Sequence, residues 1–261
     1  MGLQERGLAA VLAIVGPALL PVACARPPAN PDHVAAPPAI AAPVQPDPRI
    51  GALYPGDGPE HTCSASVLDT TGGDLILTAA HCLAGDPDAT FLPGLSDGST
   101  PDRTHVEAAY FDPRWLSDQD PRADFAILRL DGDVLGPHRG VTLGTAPPPG
   151  TPVLVRGYAG GDGSTPLGCR ASTAQVVGFP ELPCAGLVAG LSGAPWMVGS
   201  TVVGLVGGLD GGGCDDDLSY SPPFDTAITR LLARAEAGGT GDVAPDSEGE
   251  GCSAELSSET G

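Results

Sequence analysis

Leu75-Ile-Leu-Thr-Ala-Ala-His81-Cys82 is the stretch of sequence that decides the fold. An apolar run typical of a β-strand leads into small residues and ends on a histidine that a cysteine follows. This arrangement fixes an imidazole at the end of a strand, where it can reach a cleft. A lone histidine more often has a structural role, but a disulfide between Cys63 and Cys82 would pin the strand that carries this one.

Two other motifs supply the groups that an active imidazole needs. Asp124-Phe-Ala-Ile-Leu-Arg-Leu130 opens an alternating strand with a carboxylate, which orients a histidine and selects its tautomer, although an Asp there is often only a turn residue. Gly190-Leu-Ser192-Gly-Ala-Pro-Trp196 offers a serine nucleophile within a turn of small residues. The backbone N–H groups of Gly190 and Ser192 are the predicted oxyanion hole.

The order of these residues along the chain separates the known serine-hydrolase architectures. All five histidines precede Ser192, which excludes an α/β-hydrolase with this nucleophile because the histidine of that fold follows its serine. A subtilisin-like enzyme has the order Asp, His, Ser and needs crossover helices, for which the sequence has no pattern. The order His81, Asp124, Ser192 therefore requires a third architecture.

The composition and the hydrophobic pattern predict an all-β fold. Gly (38) and Pro (29) are abundant, which suits short strands joined by turns. Eight strand-like runs lie between turn signals, at residues 62–68, 75–78, 106–111, 125–130, 153–158, 173–179, 196–198 and 201–206. One helical pattern near the C-terminus has an apolar face, Asp225 as N-cap and Gly238 at its end. That face carries Ile228, Leu231, Leu232 and Ala235.

The chain divides into four predicted segments. Residues 1–25 are a signal peptide, because a basic flank precedes an apolar run too short to span a bilayer and Ala23-Cys24-Ala25 offers a cleavage site. Residues 26–49 contain eight prolines and form a linker or pro-segment with nothing to pack a core. Residues 50–237 form the folded domain, and residues 238–261 are an acidic, disordered tail.

Charge and cysteine content exclude several classes of partner. The formal net charge is −20 and the 12 basic residues are all Arg, so nucleic acid is not a partner. Without Cys24, six cysteines remain, which in an exported chain predicts three disulfides, and no CxxC spacing suggests a zinc site. Asp215-Asp216-Asp217 is read as a solvated turn rather than a calcium site. We therefore predict no cofactor and no metal.

The three motifs together resemble the chymotrypsin/trypsin-like serine peptidases, in particular short secreted bacterial (actinobacterial) members. The likeness covers most of residues 50–237 and carries the motifs in the family's order. The stretch before the histidine, His61-Thr-Cys-Ser-Ala-Ser66, is similar too. Val203-Gly-Leu-Val206 resembles the strand that pairs with substrate backbone, and Ser219-Tyr-Ser-Pro-Pro-Phe224 resembles the segment before the terminal helix in some actinobacterial members.

This resemblance implies two antiparallel six-stranded β-barrels with a C-terminal helix and with the triad in the cleft between the barrels. Ser192 would be the nucleophile, His81 the general base and Asp124 its orienting partner. The resemblance also implies the Cys63–Cys82 disulfide. The other four cysteines allow three connectivities, of which we favour Cys169–Cys184 with Cys214–Cys252.

Alignment on the serine predicts the residues that bind substrate. Gly186 falls where trypsin has an acidic residue at the base of its pocket, so a preference for Arg or Lys is not indicated. Gly207 lies on the substrate-backbone segment, while Leu209 and Leu218 would narrow the pocket and favour small or aliphatic residues. The alternative alignment of the glycine-rich 207–213 stretch points Asp210 into the pocket. Arg49-Ile50-Gly51 resembles the junction at which animal zymogens of this family are cut. The family's Asp before the serine, which receives the freed N-terminus of those zymogens, is replaced here by Leu191, so we predict that a cut after Arg49 only removes the proline-rich segment.

The sequence as a whole predicts a secreted, monomeric serine endopeptidase that acts on protein or peptide substrates. It has no predicted transmembrane segment. A lipid anchor at Cys24, holding the protein at the outer face of the cell membrane, is the alternative to free secretion. The alternative functions are a catalytically inactive binding module and a serine esterase on the same fold.

Overall fold

The computed structural model describes residues 39–85, 88–97, 103–136, 138–213 and 217–246. The predicted signal peptide with Cys24, the first two residues of the 215–217 acidic turn, Cys214 and Cys252 lie outside these residues. The strands are β1 Ala39–Ile40, β2 Ala42–Pro43, β3 Ile50–Pro55, β4 Cys63–Val67, β5 Leu75–Thr78, β6 Ala89–Pro93, β7 Thr104–Phe111, β8 Ala126–Leu130, β9 Thr142–Leu143, β10 Pro152–Gly157, β11 Leu167–Ser172, β12 Ala174–Val176, β13 Phe179–Ala185, β14 Pro195–Val198, β15 Thr201–Leu205 and β16 Leu218–Tyr220. The helices are α1 Pro113–Asp118 and α2 Thr226–Ala237.

The first half of the fold is a closed barrel with the strand order β3-β4-β5-β8-β7-β6. Its adjacent strands are antiparallel, and closure pairs both edges of every strand in this barrel. Alternating residues point inward, and Leu53, Ile76, Phe91, Phe111 and Leu128 meet in one buried cluster. Burying side chains of this size stabilises the fold by about 1.5–3 kcal/mol each.

The second half consists of two sheets that share one apolar core. A six-stranded sheet has the order β2-β11-β10-β14-β15-β9, and a four-stranded sheet joins β1, β13 and β12, with β16 also paired to β13. Val155, Leu182, Leu191 and Trp196 lie in their common core. The predicted all-β fold with a terminal helix is confirmed. Side-chain packing rather than one continuous hydrogen-bonded sheet encloses this second core.

One predicted strand, residues 173–179, is two strands in the structure. Strands β12 and β13 pair antiparallel, with Val176 opposite Phe179, so Val177 and Gly178 form a two-residue turn. Both turn residues have positive φ, +47° and +87°. A two-residue hairpin favours such values because they match the strand twist. A β-branched residue rarely adopts them, so the alternation around Val177 predicted a continuous strand.

The terminal helix has the predicted bounds, and its predicted apolar face is buried except at Leu232, which is half-buried. Asp225 accepts a hydrogen bond from the N–H of Ala227 at 2.7 Å, and Gly238 follows the last turn with φ +76°. Ile228, Leu231 and Ala235 are buried against the interior of the molecule. No helix in the described part of the chain is long and apolar enough to cross a membrane.

Both segments flanking the predicted domain contact it. Strand β1 runs parallel to β13, and β2 pairs with β11. The second half of the proline-rich segment therefore adds one strand to each of the two sheets in the second half of the fold. After α2, Asp242 donates its N–H to the Ala109 carbonyl at 2.8 Å, and Ala244 is buried. The expectation that residues 26–49 contribute nothing to a core therefore does not hold from Ala39 onward, because alternate alanines reach the core there. The domain boundaries themselves stay predictions.

Candidate active site

His81 and Asp124 meet through two hydrogen bonds. His81 lies in a single 3₁₀ turn, Ala80–Leu83, which directly follows β5, and Asp124 lies just before β8, the strand paired with β5. The imidazole Nδ1 lies 2.7 Å from Oδ2 of Asp124, and the His81 backbone N–H donates to Oδ1 at 2.9 Å. The pairing of the two strands thus brings together groups 43 residues apart.

Asp124 is a buried carboxylate whose two oxygens both have donors. Its side chain is 2% exposed, and Oδ2 also accepts a hydrogen bond from the Gly208 N–H at 2.7 Å. Burial by itself would raise the pKa of this carboxyl, but the His81 charge and hydrogen bond, with the two backbone N–H groups, lower it below its usual value. Asp124 is therefore ionised near neutral pH and accepts a hydrogen bond from the Nδ1–H of His81.

The interaction that lowers the pKa of Asp124 raises the pKa of His81. Burial lowers the pKa of the imidazole, and the negative charge and hydrogen bond of Asp124 outweigh that effect, so the pKa lies above 6.5. The other ring nitrogen, Nε2, is unprotonated in the neutral tautomer that this hydrogen bond selects. The His81 side chain is 30% exposed, so a ligand can reach the imidazole from solvent.

Ser192 lies in a tight loop held against the first barrel. Its carbonyl accepts a hydrogen bond from the N–H of Ser64 in β4 at 2.7 Å. The next residue, Gly193, has φ +80°, and a Cβ there would lie 2.2 Å from the Ser64 carbonyl oxygen. Only glycine allows this approach. Since Ser64 follows Cys63, which is disulfide-bonded to Cys82 beside His81, the serine and histidine motifs share one anchor.

Two peptide groups of this loop direct their N–H groups away from the protein's own acceptors. The Ala189 carbonyl accepts from Gly160 N–H at 2.9 Å, and the Leu191 carbonyl accepts from Ala194 N–H at 2.8 Å. In a trans peptide the N–H points opposite to the C=O, so the N–H groups of Gly190 and Ser192 point the other way. Within the described residues neither of these N–H groups has an acceptor.

Leu191, between the two predicted donors, is fully buried in the apolar core of the second half. No carboxylate occupies this place, so an internal ammonium would have no partner there. Ile50, the residue a zymogen cut after Arg49 would expose, is buried as the first residue of β3 and donates its N–H to the Asp47 carbonyl at 2.9 Å. Arg49 is itself held by the Asp47 carboxylate through its side chain.

Gly186, predicted at the base of the pocket, follows β13 with φ +79°. A Cβ built there would lie 3.6 Å from the Cβ of Ala41, whose N–H donates to the Ala185 carbonyl at 2.8 Å. No sequence pattern had placed the proline-rich segment beside this position.

The other predicted pocket residues lie beyond the end of β15. Gly207 is so close to Asp124 that a Cβ there would lie 2.9 Å from its Oδ2. Leu209 begins a tight turn with left-handed backbone at Asp210 and Gly211, and Leu218 begins β16. Both leucines are half-buried. Asp210, in the same turn as Leu209, is exposed.

Two groups at this site were not predicted from the sequence. Gly208 supplies the third hydrogen bond to Asp124 through its backbone, which no sequence pattern reveals. Ser64 belongs to the His61–Ser66 stretch before the histidine, but nothing in the sequence indicated that its hydroxyl is buried at this site. The predicted disulfide Cys63–Cys82 is present, and Cys169–Cys184, the favoured second pair, is present as well.

Comparisons with known proteins bear on the family and the fold. The family model described as a trypsin-like peptidase domain matches residues 63–208, more than half of the chain and the whole span from Cys63 to the Gly208 donor. A comparison with curated protein sequences finds no match.

Solved structures share the fold at low sequence identity. Protease Anisep from Arthrobacter nicotinovorans is 19% identical with a TM-score of 0.66, over 76% of this chain and 100% of its own. Thermostable serine protease AL20 from an extremophilic microorganism is 18% identical with a TM-score of 0.63, over 74% and 98%. Human heparin binding protein is 14% identical with a TM-score of 0.59, over 78% and 99%. At such identities these likenesses establish the fold alone.

Proposed function

Because the chain belongs to the trypsin-like peptidase domain family, we propose that it is a serine endopeptidase whose catalytic residues are Ser192, His81 and Asp124. The observation that carries the proposal is the fully hydrogen-bonded Asp124 carboxylate 2.7 Å from His81 Nδ1. The hydrogen bond to Asp124 occupies Nδ1 and leaves Nε2 of His81 free to act as a base. The order His81, Asp124, Ser192 along the chain is the order of the three sequence motifs.

The reaction begins with attack of Ser192 Oγ on the carbonyl carbon of the scissile peptide bond. His81 Nε2 accepts the hydroxyl proton, and Asp124 stabilises the imidazolium that forms. The carbonyl oxygen becomes an oxyanion, which the N–H groups of Gly190 and Ser192 bind. Such donors act mainly on the transition state, and loss of one typically costs about 3–4 kcal/mol.

The second half of the reaction releases both products. His81 gives its proton to the departing amine, which breaks the peptide C–N bond and leaves an ester between the acyl group and Ser192. A water molecule then attacks this ester while His81 accepts a proton from it. Collapse of the second oxyanion returns the proton to Ser192 and releases the carboxylic acid product.

The substrate pocket is proposed to take small or aliphatic side chains at P1, the residue before the cleaved bond. Gly186 supplies no carboxylate at its base, and Ala41 lies close behind it. The apolar Leu209 and Leu218 would flank it. A cation would be desolvated there without a partner, whereas a short apolar side chain has no such cost.

We propose that the protein acts outside the cell. Disulfides Cys63–Cys82 and Cys169–Cys184 support an oxidising compartment, in which such bonds form and persist. Free secretion as a monomer is the proposed state, with attachment through Cys24 as its alternative.

The test compares the wild-type chain with Ser192→Ala and His81→Ala. An activity-based organophosphonate probe is expected to label Ser192 in the wild type only, and casein is expected to be cleaved by the wild type only. Members of a triad act as a unit, so each variant should lose nearly all hydrolysis without loss of fold. Wild type that neither binds the probe nor cleaves casein would be a binding module, and turnover confined to small esters would make it an esterase.

A further inference from the structure

Ser64 has a fully buried hydroxyl that joins three parts of the candidate site. Its Oγ accepts a hydrogen bond from the Tyr158 N–H at 2.9 Å. The hydroxyl donates to the Gly190 carbonyl at 3.1 Å, the nearer of two acceptors, since the Tyr158 carbonyl lies 3.4 Å away. The Ser64 backbone N–H donates to the Ser192 carbonyl at 2.7 Å. One residue of the first barrel thus holds the loop on both sides of the nucleophile and the start of the 158–160 segment.

These contacts act on the peptide groups that carry the proposed oxyanion donors. The donor N–H of Gly190 belongs to the peptide group whose carbonyl, that of Ala189, accepts from Gly160 N–H at 2.9 Å. Gly160 follows Tyr158 by two residues, and Tyr158 N–H binds the Ser64 hydroxyl. The same hydroxyl fixes the next peptide group through the Gly190 carbonyl. Rotation of the Gly190 N–H out of the cleft would therefore strain a set of bonds that meets at Ser64.

Leu191 cannot accept a charge, so no ion pair holds the loop at this position. The Gly193 N–H is fixed to the Val206 carbonyl at 2.7 Å, but that bond lies on the far side of the nucleophile from Gly190. An apolar side chain between the two donors fixes the loop by packing alone, and packing is less directional than a hydrogen bond. Gly190 has φ +92° and Gly193 has φ +80°, so the loop contains two residues with wide conformational freedom. A directional contact between them and the barrel restricts that freedom.

We propose that Ser64 is a positioning residue that keeps the oxyanion hole formed without any contribution from a liberated N-terminus. This inference rests on the proposed peptidase function. The role belongs to the hydroxyl, since the backbone N–H contact to Ser192 survives any substitution of the side chain except proline. Ser64 touches no reacting atom in this scheme, so it acts on the rate only through the donors that it orients.

Strand β4 offers a matched control two residues further on. Ser66 is also fully buried, and its hydroxyl has no hydrogen-bond partner among the described residues. Ser64→Ala and Ser66→Ala therefore remove the same atom from the same strand at equal burial. They differ in whether that atom holds the nucleophile loop.

The experiment measures kcat, KM and the inhibition constants of a peptide pair in the wild type and both variants. The pair is a tetrapeptide aldehyde ending in valine, whose adduct with Ser192 places an oxygen in the hole, and the same peptide as its amide. Ser64→Ala is expected to lower kcat about tenfold to a hundredfold, less than full loss of one donor, with KM changed by less than about threefold. Affinity for the aldehyde should fall by about tenfold and affinity for the amide should not.

Each outcome bears on the proposal. Inhibition constants do not depend on the fraction of folded protein. If Ser64→Ala yields too little protein, Ser64→Cys, which keeps a weaker donor, is expected to lose an intermediate part of the aldehyde affinity. Equal behaviour of Ser64→Ala and Ser66→Ala, or equal losses for aldehyde and amide, would overturn the role of Ser64. A wild type inert toward both substrate and aldehyde would instead refute the peptidase function itself.

Discussion

Replacing Asp124 with asparagine tests the proposed triad most directly, because it removes one charge and leaves the size of the side chain unchanged. Three donors converge on the carboxylate: the His81 Nδ1 at 2.7 Å, the His81 N–H at 2.9 Å and the Gly208 N–H at 2.7 Å. An amide has one oxygen, so whichever way the new side chain turns, at least one of these donors faces an NH₂ group.

The magnitude follows from the distance. Coulomb's law with an effective dielectric constant of about 20 gives about 6 kcal/mol between an imidazolium and a carboxylate 2.7 Å apart. That attraction exists only when His81 has taken the serine proton, so it stabilises the transition state and not the resting enzyme. At about 1.36 kcal/mol for each tenfold change, its loss predicts a decrease in kcat of about four powers of ten.

The assay is steady-state hydrolysis of a fluorogenic peptide, with circular dichroism as a check of the fold. KM is expected to change little, because substrate binding precedes proton transfer. Asp112→Asn is the control: Asp112 is also buried, but it caps α1 and pairs with Arg114. Asparagine is an equally good N-cap, so this variant should keep wild-type kcat.

A kcat for Asp124→Asn within tenfold of the wild-type value would refute the assignment. The orienting carboxylate would then have to be another one, and Asp118 and Asp120 would be replaced next. Asp120 already accepts a hydrogen bond from the Arg122 N–H at 2.9 Å, so we do not expect it to be the carboxylate that orients His81.

Three further predictions concern pH, activation and specificity. The kcat/KM should rise with pH through a midpoint above 6.5, since His81 must lose its proton to act as base and Asp124 raises its pKa, whereas a flat acid-to-neutral profile would contradict this mechanism. The Arg49→Gln variant, shown by mass spectrometry to retain the preceding segment, should have the same kcat/KM as a chain that starts at Ile50. A kcat/KM a hundredfold lower would identify a true zymogen. Peptide-library profiling should show small or aliphatic P1 residues, and a dominant Arg or Lys preference would contradict the pocket assignment.

Local sequence patterns were sufficient to predict the elements whose structure depends on interactions between residues close together in the chain. The terminal helix could be bounded because Asp225, the apolar face and Gly238 are signals read within one segment. The His81, Asp124 and Ser192 motifs were recognisable because each places a special residue next to a strand or a tight turn. Their order along the chain then separated this fold from the other serine-hydrolase architectures.

Only the tertiary structure decided how these segments meet. The Ser64 hydroxyl reaches Gly190 across 126 residues of sequence, and Gly208 reaches Asp124 across 84. A backbone N–H is the same in every residue but proline, so its partner depends on chain folding and not on residue type. The docking of Ala39–Pro43 had no local signal either, since two-residue strands next to prolines form only where a ready sheet edge accepts them. The sequence by itself thus determined which chemical groups the candidate site offers, and long-range packing determined what holds them in place.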